Sequence, residues 1–395
     1  MRKQQQKTML EHVDTTKGAL TEFSENNSHP GSGSVGQLQK VLGEFENSVK
    51  TESNPNKIKV VFLPYKAAMW DSLESVWLAA VKDPQCDAYV IPIPYYDKNP
   101  DGALGQMRYE GSEYPDYVPV VDWRSYDIEK RRPDIIYVHN PYDEYNPATS
   151  VHPDFYSRRL KEFTDMLVYI TYFVSVGDNV DKDFCVLPGT LYANRVVVQS
   201  EVVRQAYIRE FKEAEKIFDC AGQFGTAEEK FLALGSPKFD KALTIRPEDC
   251  QIPDDWRRMI DKPDGTRKKI ILYNTTFGSI LEGDEKYLHK IRSVLESFRG
   301  YDDALLLWRP HPLSAAAYKS MRPQFLQEYE NIVSEYKQQR FGIYDDTPDV
   351  HRAIAMADAY YGDWSSLVAL FEQTGKPVMI QDINIISGNL IRKSR

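Results

Sequence analysis

Two series of short β-branched or aromatic runs, each alternating with amphipathic segments, constrain this chain more than any other feature. In the first series Lys59–Leu63 (KVVFL), Ala88–Ile93, Asp134–Val138 (DIIYV), Leu167–Val174 and Arg195–Gln199 (RVVVQ) read as strands, and Met69–Val81, Pro153–Phe163 and Glu201–Glu213 as helices. A stretch rich in Pro, Gly and Asp, Gly235–Asp264, separates it from the second series. There Lys269–Tyr273 (KIILY), Ala304–Trp308 (ALLLW), Phe341–Tyr344, Ala357–Tyr361 and Pro377–Gln381 read as strands with helices between them. Strands that alternate with helices build βαβ units and parallel sheets. The expected fold class is therefore α/β, with two Rossmann-like doubly wound domains in tandem, residues 58–230 and 231–395, behind an N-terminal extension, residues 1–57. Such sheets bind ligands beyond the carboxyl ends of their strands, so the cleft between the domains is the expected site.

The extension is polar, and the run HPGSGSVG at His29–Gly36 interrupts it; residues 1–34 read as flexible. From Val35, the residues Leu38, Val41, Leu42, Phe45 and Val49 recur at near-helical spacing, which predicts one amphipathic helix. Charge bears on partners: 49 Lys+Arg against 58 Asp+Glu gives a net charge of −9, which lacks the basic field that generic nucleic-acid binding requires. The four cysteines contain no C-x-x-C pair, which fits a reducing cytoplasm better than a disulfide framework or a zinc cluster. The most apolar run, Met166–Val176, is far shorter than the ~20 residues that span a bilayer. A cytoplasmic protein that neither crosses a membrane nor is secreted is the expectation.

Neither series carries G-x-G-x-x-G or G-x-x-x-x-G-K-[ST] after its first strand, which removes dinucleotide-fingerprint and P-loop chemistries. Strand ALLLW instead runs into Arg309-Pro310-His311-Pro312. A guanidinium beside an imidazole, on backbone stiffened by two prolines, suits holding a diphosphate and donating to a departing phosphate. A surface ion pair with a turn-capping histidine fits the tetrapeptide as well. Strand Ala357–Tyr361 runs into Gly362-Asp363-Trp364-Ser365-Ser366 and an apolar helix, which places two hydroxyls and backbone N–H groups at a helix N-terminus, a place that favours anions. An ordinary helix cap is the plainer reading. Thr275 and Thr276, after KIILY, add a third polar strand end.

R-P-H-P after a strand, [SG]-D-[YW]-S-S opening a helix, and G-x-P-[KR]-x-D between domains (Gly235-Ser236-Pro237-Lys238-Phe239-Asp240) together resemble the CDP-glycerol glycerophosphotransferase family of teichoic acid polymerases, over roughly residues 230–382. Bacterial sialyltransferase-like enzymes of the same glycosyltransferase-B (GT-B) fold share similar His-Pro and Ser-Ser elements. The resemblance implies that Arg309, His311, Ser365 and Ser366 surround the donor's diphosphate, with Asp363 as cap or orienting group. The chain departs from the family pattern twice. The W-H-G-T element, whose histidine serves as acceptor-side base in the family, is replaced by Tyr169-Ile170-Thr171-Tyr172-Phe173, and the aspartate usual four residues past the second serine is Leu370.

A base must then come from elsewhere in the N-terminal domain. His139, with Asp143 to orient it, lies just past DIIYV, and His152 follows. A histidine near a carboxylate accepts a hydroxyl proton at neutral pH; a loop histidine satisfied by the backbone is the alternative. Lys66 and Asp71, flanking the turn after the first strand, are expected to face the acceptor or its phosphate, or to belong to a solvated turn. Tyr-rich turns such as Pro94-Tyr95-Tyr96 suit a polyol surface. The resulting expectation is a transferase that moves glycerol phosphate, or a related polyol phosphate, from a CDP-linked donor to a hydroxyl of a cell-envelope polymer. It needs no cofactor beyond that donor and no metal. Its expected partners are a nucleotide-activated polyol or sugar donor and a polymer or lipid-linked acceptor, met through peripheral contact at the inner membrane face. A GT-B glycosyltransferase using a CMP- or UDP-sugar, and a non-catalytic nucleotide-binding homologue, are the alternatives.

Overall fold

In a computed structural model, which describes residues 42–43, 57–175 and 180–381, both parallel sheets are present. The extension read as flexible and then helical lies outside the described residues, apart from Leu42 and Gly43, which are helical. The N-terminal lobe contains β1 (Ile58–Leu63), β2 (Cys86–Val90), β3 (Tyr95–Lys98), β4 (Leu104–Arg108), β5 (Ile135–Val138), β6 (Thr149–Val151), β7 (Met166–Ile170), β8 (Arg195–Val198) and β9 (Phe231–Ala233). Six of these pair in the order β2-β1-β5-β7-β8-β9. The C-terminal lobe contains β10 (Lys269–Thr275), β11 (Ala304–Pro310), β12 (Ile343–Tyr344), β13 (Ala359–Gly362) and β14 (Val378–Ile380), in the order β12-β11-β10-β13-β14. Central strands such as VVFL and LLLW are buried and apolar on both faces because helices cover both, which is why they read as continuous runs.

Three features depart from the sequence expectation. Phe231–Ala233 forms the sixth strand of the first sheet, so the boundary expected at 230/231 moves past Ala233; three residues are too short a run to reveal a strand by pattern. β3, β4 and β6 form an antiparallel sheet, whose mixed-polarity segments (YYDK, LGQMR, TSV) show no alternation to read. The helix expected over Met69–Val81 is a 3-10 turn, Ala67–Ser72, followed by the α-helix Glu74–Lys82, and the one expected over Pro153–Phe163 is a 3-10 turn, Pro153–Phe155, followed by the short α-helix Ser157–Leu160.

The stretch read as a linker is the joint between the lobes. Ser236 accepts a hydrogen bond from the Lys238 N–H (3.3 Å) and Pro237 opens the helix Pro237–Thr244, a favourable cap and first-turn residue in sequence. From this helix the Lys238 ammonium reaches Asp71 (2.6 Å), Lys241 reaches Glu74 (2.9 Å), and Asp240 accepts from Ser75 (2.7 Å). The Asp71 carboxylate also receives His351 Nε2 (2.7 Å), from the first turn of the helix Val350–Met356. Asp71 follows the carboxyl end of β1, and His351 lies just past the carboxyl end of β12. Val174, just past β7, packs in the core of the C-terminal lobe with Ile270, Leu272 and Leu305. The carboxyl edges of the two sheets therefore face each other.

Burial alone would raise the Asp71 pKa, but the Lys238 ammonium and the His351 imidazole hold it down at about 2. A folded-state value below the unfolded one means that this contribution is complete above the unfolded pKa and lost as pH falls through the folded one. Removing one partner of a buried pair costs ~3–5 kcal/mol. Asp71→Ala should lower the free energy of unfolding by about that amount in urea titrations at pH 7, and the difference from wild type should shrink between about pH 4 and pH 2.

Candidate functional site

On the C-terminal lobe, three adjacent strands deliver their ends to one place. β10 lies between β11 and β13, and the loops after these strands are joined by hydrogen bonds. The His311 N–H donates to the Thr275 carbonyl (2.8 Å), and the Asp363 N–H to the Asn274 carbonyl (3.0 Å). Asn274 Nδ2 donates to Ser365 Oγ (3.0 Å) and to the Tyr360 hydroxyl (3.1 Å). Gly362 permits this: at φ +144° it lies opposite Asn274 in the ladder, and a Cβ there would meet the Asn274 carbonyl oxygen at 2.2 Å.

Beneath this surface lies a buried charge. Asp363 accepts from Lys290 Nζ (2.7 Å), the Thr276 N–H (2.7 Å) and the Tyr287 hydroxyl, and Lys290 also donates to the Gln381 carbonyl (2.6 Å). Lys290 and Asp363 are almost completely buried. The pair pins β10, β13 and the helix Phe277–Phe298 together. Asp363 therefore orients the frame, not a ligand.

Several donor-side expectations are corrected in the same way. Arg309 is nearly buried; its guanidinium donates to Asp345 (2.5 Å) and to the Thr347 carbonyl (2.7 Å). Its position next to the end of β11 directs it to the neighbouring β12 end, where it fixes the loop leading to His351 and is not presented to a diphosphate. Thr275 is buried and accepts from Trp308 Nε1 (3.0 Å), and Thr276 caps the helix Phe277–Phe298. Leu370 packs in the core. His311, Ser365 and Ser366 remain at the surface of the strand-end layer: His311 and Ser365 are half-buried and Ser366 is exposed. Ser365 does not cap the helix Ser366–Glu372 with its side chain. His311 Nδ1 accepts from the Leu313 N–H (3.1 Å), which leaves the proton on Nε2, and burial lowers its pKa. It is a neutral N–H donor near pH 7.

On the N-terminal side the expected base is corrected. His139 is completely buried; Nε2 accepts from the Tyr65 N–H (3.1 Å), so Nδ1 carries the proton and donates to Ser72 Oγ (2.8 Å), which passes its own to the Met69 carbonyl (2.7 Å). This imidazole ties the 3-10 turn to β5, and no nitrogen is left for a substrate. Asp143, buried with φ +48°, does not touch it; its carboxylate holds the N–H (2.7 Å) and hydroxyl (2.9 Å) of Ser157, and burial raises its pKa to about 7. His152 accepts from the Asp154 N–H (3.2 Å) and packs against Trp123 and Tyr96. Asp71 is the interlobe clasp. Lys66 is half-buried, with its ammonium over the rings of Tyr65 (5.3 Å) and Tyr95 (5.2 Å).

Sequence reading missed Asn274, Lys290, Tyr287 and His351. Asn274 directly precedes the two threonines, and Lys290 interrupts the apolar stripe Tyr287, Leu288, Ile291, Val294 of its helix. A lysine on an apolar face was the available signal.

With this geometry in hand, residues 205–385 match the family described as CDP-Glycerol:Poly(glycerophosphate) glycerophosphotransferase, so the resemblance read from the motifs holds over this part of the chain. No curated protein sequence matches the chain. Among solved structures it is similar to the wall teichoic acid polymerase TagF (13% identity, TM-score 0.42, covering 93% of this chain and 78% of that one). It is also similar to S. aureus MnaA with UDP (13%, 0.45, 82% and 78%) and to the UDP-GlcNAc 2-epimerase of Neisseria meningitidis bound to UDP-GlcNAc (12%, 0.44, 82% and 82%).

Burial holds the His139 pKa down at about 3, far below the unfolded value of 6.5. Such a group contributes stability above the unfolded pKa and loses it as pH falls through the folded one, because the unfolded chain takes up a proton first. Wild type should therefore lose stability between about pH 6.5 and pH 3. His139→Gln should flatten that part of the pH–stability curve and lower the melting temperature, with nucleotide affinity unchanged in the folded fraction.

Proposed function

We propose that this chain, whose residues 205–385 carry the glycerophosphotransferase pattern, transfers glycerol phosphate or a related polyol phosphate from a CDP-linked donor to a hydroxyl of a cell-envelope polymer. The observation that carries this reading is the strand-end layer, in which His311, Ser365 and Ser366 converge while their charged neighbours are consumed in holding it rigid. Hydrogen-bond donors fixed in advance stabilise developing charge without reorganising as it forms.

In this reading the CMP side of the donor lies against the C-terminal lobe. Ser366, together with the start of its helix, donates to the diphosphate. His311 Nε2–H donates to the phosphate oxygen from which the bond to the transferred group breaks. That oxygen gains negative charge in the transition state, so the hydrogen bond strengthens there. No described helix is long and apolar enough to cross a membrane, and a lipid-linked acceptor would be met from the membrane surface.

Isothermal titration with CMP and CDP-glycerol tests the donor site. Ser365→Ala with Ser366→Ala should weaken binding by ~1–3 kcal/mol, and His311→Ala should lower kcat more than it raises KM. Unchanged affinity in the serine variant would remove the donor assignment. A changed KM with kcat intact would make His311 a binding group only.

A further inference from the structure

The N-terminal edge opposite the donor layer carries a distinct set of groups. β1, β5 and β7 are adjacent, and each delivers a tyrosine past its carboxyl end: Tyr65, Tyr142 and Tyr172. The Tyr142 and Tyr172 hydroxyls are paired at 3.1 Å, and both residues are half-buried. Tyr65, fully buried, backs them. Beside it the Lys66 ammonium lies over the faces of Tyr65 and Tyr95. The nearby Glu110 carboxylate is turned to the Tyr95 hydroxyl (2.6 Å) and the Ala67 N–H (2.8 Å), and among the described residues no carboxylate lies within 4.0 Å of the Lys66 ammonium. Tyr172 stands on the segment whose Val174 enters the core of the other lobe, so this cluster faces the cleft.

We infer that the Lys66–Tyr142–Tyr172 cluster is the subsite for the acceptor's terminal polyol phosphate, with the ammonium on the phosphate and the phenol pair on the polyol hydroxyls. The chemistry matches the parts. An ammonium held over aromatic faces is a positioned point charge for a phosphate. Phenols both donate and accept, as polyol hydroxyls require, and their rings cover C–H surface. Burial raises the pKa of Tyr172, so its phenol stays protonated and positions the acceptor hydroxyl by hydrogen bonding.

The inference rests on the donor reading above, and the test separates the two. The probe is glycerol 3-phosphate, titrated into the full chain saturated with CMP and followed by calorimetry or protein-detected NMR. Wild type should bind it. Lys66→Met should weaken binding about tenfold or more and Lys66→Arg far less, since one charge-assisted hydrogen bond is lost or kept. Tyr142→Phe with Tyr172→Phe should weaken it about three- to tenfold. CMP affinity should be unchanged in all three variants, and melting temperatures confirm that they fold. Unchanged glycerol 3-phosphate affinity in folded Lys66→Met, or failure of wild type to bind it while CMP binds, would overturn the subsite and leave the donor reading intact. Failure of CMP and CDP-glycerol to bind, with glycerol 3-phosphate binding still sensitive to Lys66, would overturn the donor reading alone.

Discussion

The Asp71 carboxylate, held between Lys238 and His351, is the interaction on which the cleft depends. It joins three parts of the chain that share no secondary structure: the turn after β1, the helix between the lobes and a helix of the C-terminal lobe. An ion pair out of water is strong only when the geometry is good and each remaining group is satisfied. The support extends outward from the pair, while His351 Nδ1 and Arg352 Nε, both buried, have no hydrogen-bond partner among the described residues. Arg309 and Arg352 grip Asp345, Thr347 closes onto the same carboxylate, and this fixes the loop from which His351 projects. Residues that look like ligand binders in sequence thus form a chain of charge that sets the angle between two sheets.

A second buried pair, Lys290–Asp363, performs the corresponding task inside the C-terminal lobe. With both pairs internal, the facing edges carry His311, Ser365 and Ser366 on one side and the Lys66 ammonium with phenols on the other. In the proposed function, phosphate recognition relies on a few oriented groups and not on a broad basic field, which suits a chain with net charge −9. This division also makes the neutrality of His311 consistent with its place. A half-buried imidazole whose pKa is lowered by burial donates a hydrogen bond without adding a titrating charge to the cleft.

The fold was legible in sequence because its signals are local. Runs such as KVVFL, RVVVQ and ALLLW are strands because β-branched and apolar residues satisfy both faces of a covered sheet, and parallel neighbours need a crossover that is usually a helix. The motifs Arg309–Pro312 and Gly362–Ser366 likewise marked strand ends, since a proline or glycine after an apolar run stops it. The short strand Phe231–Ala233 and the small antiparallel sheet escaped notice because their pairing is tertiary and leaves no period.

What each side chain does at those strand ends was decided only by the fold. His139, Arg309 and Asp363 carry the residue types that catalysis uses, and a sequence cannot distinguish a group facing solvent from one facing a partner. The partner of His139 lies 67 residues away at Ser72, that of Asp363 lies 73 residues away at Lys290, and that of His351 lies 280 residues away at Asp71. A buried polar group must be paired, and the identity of its partner follows from which chain segments the core brings together. Sequence alone therefore determined two α/β sheets and the loops where chemistry could lie. Tertiary packing determined which of their charges are spent on the frame and which face the cleft.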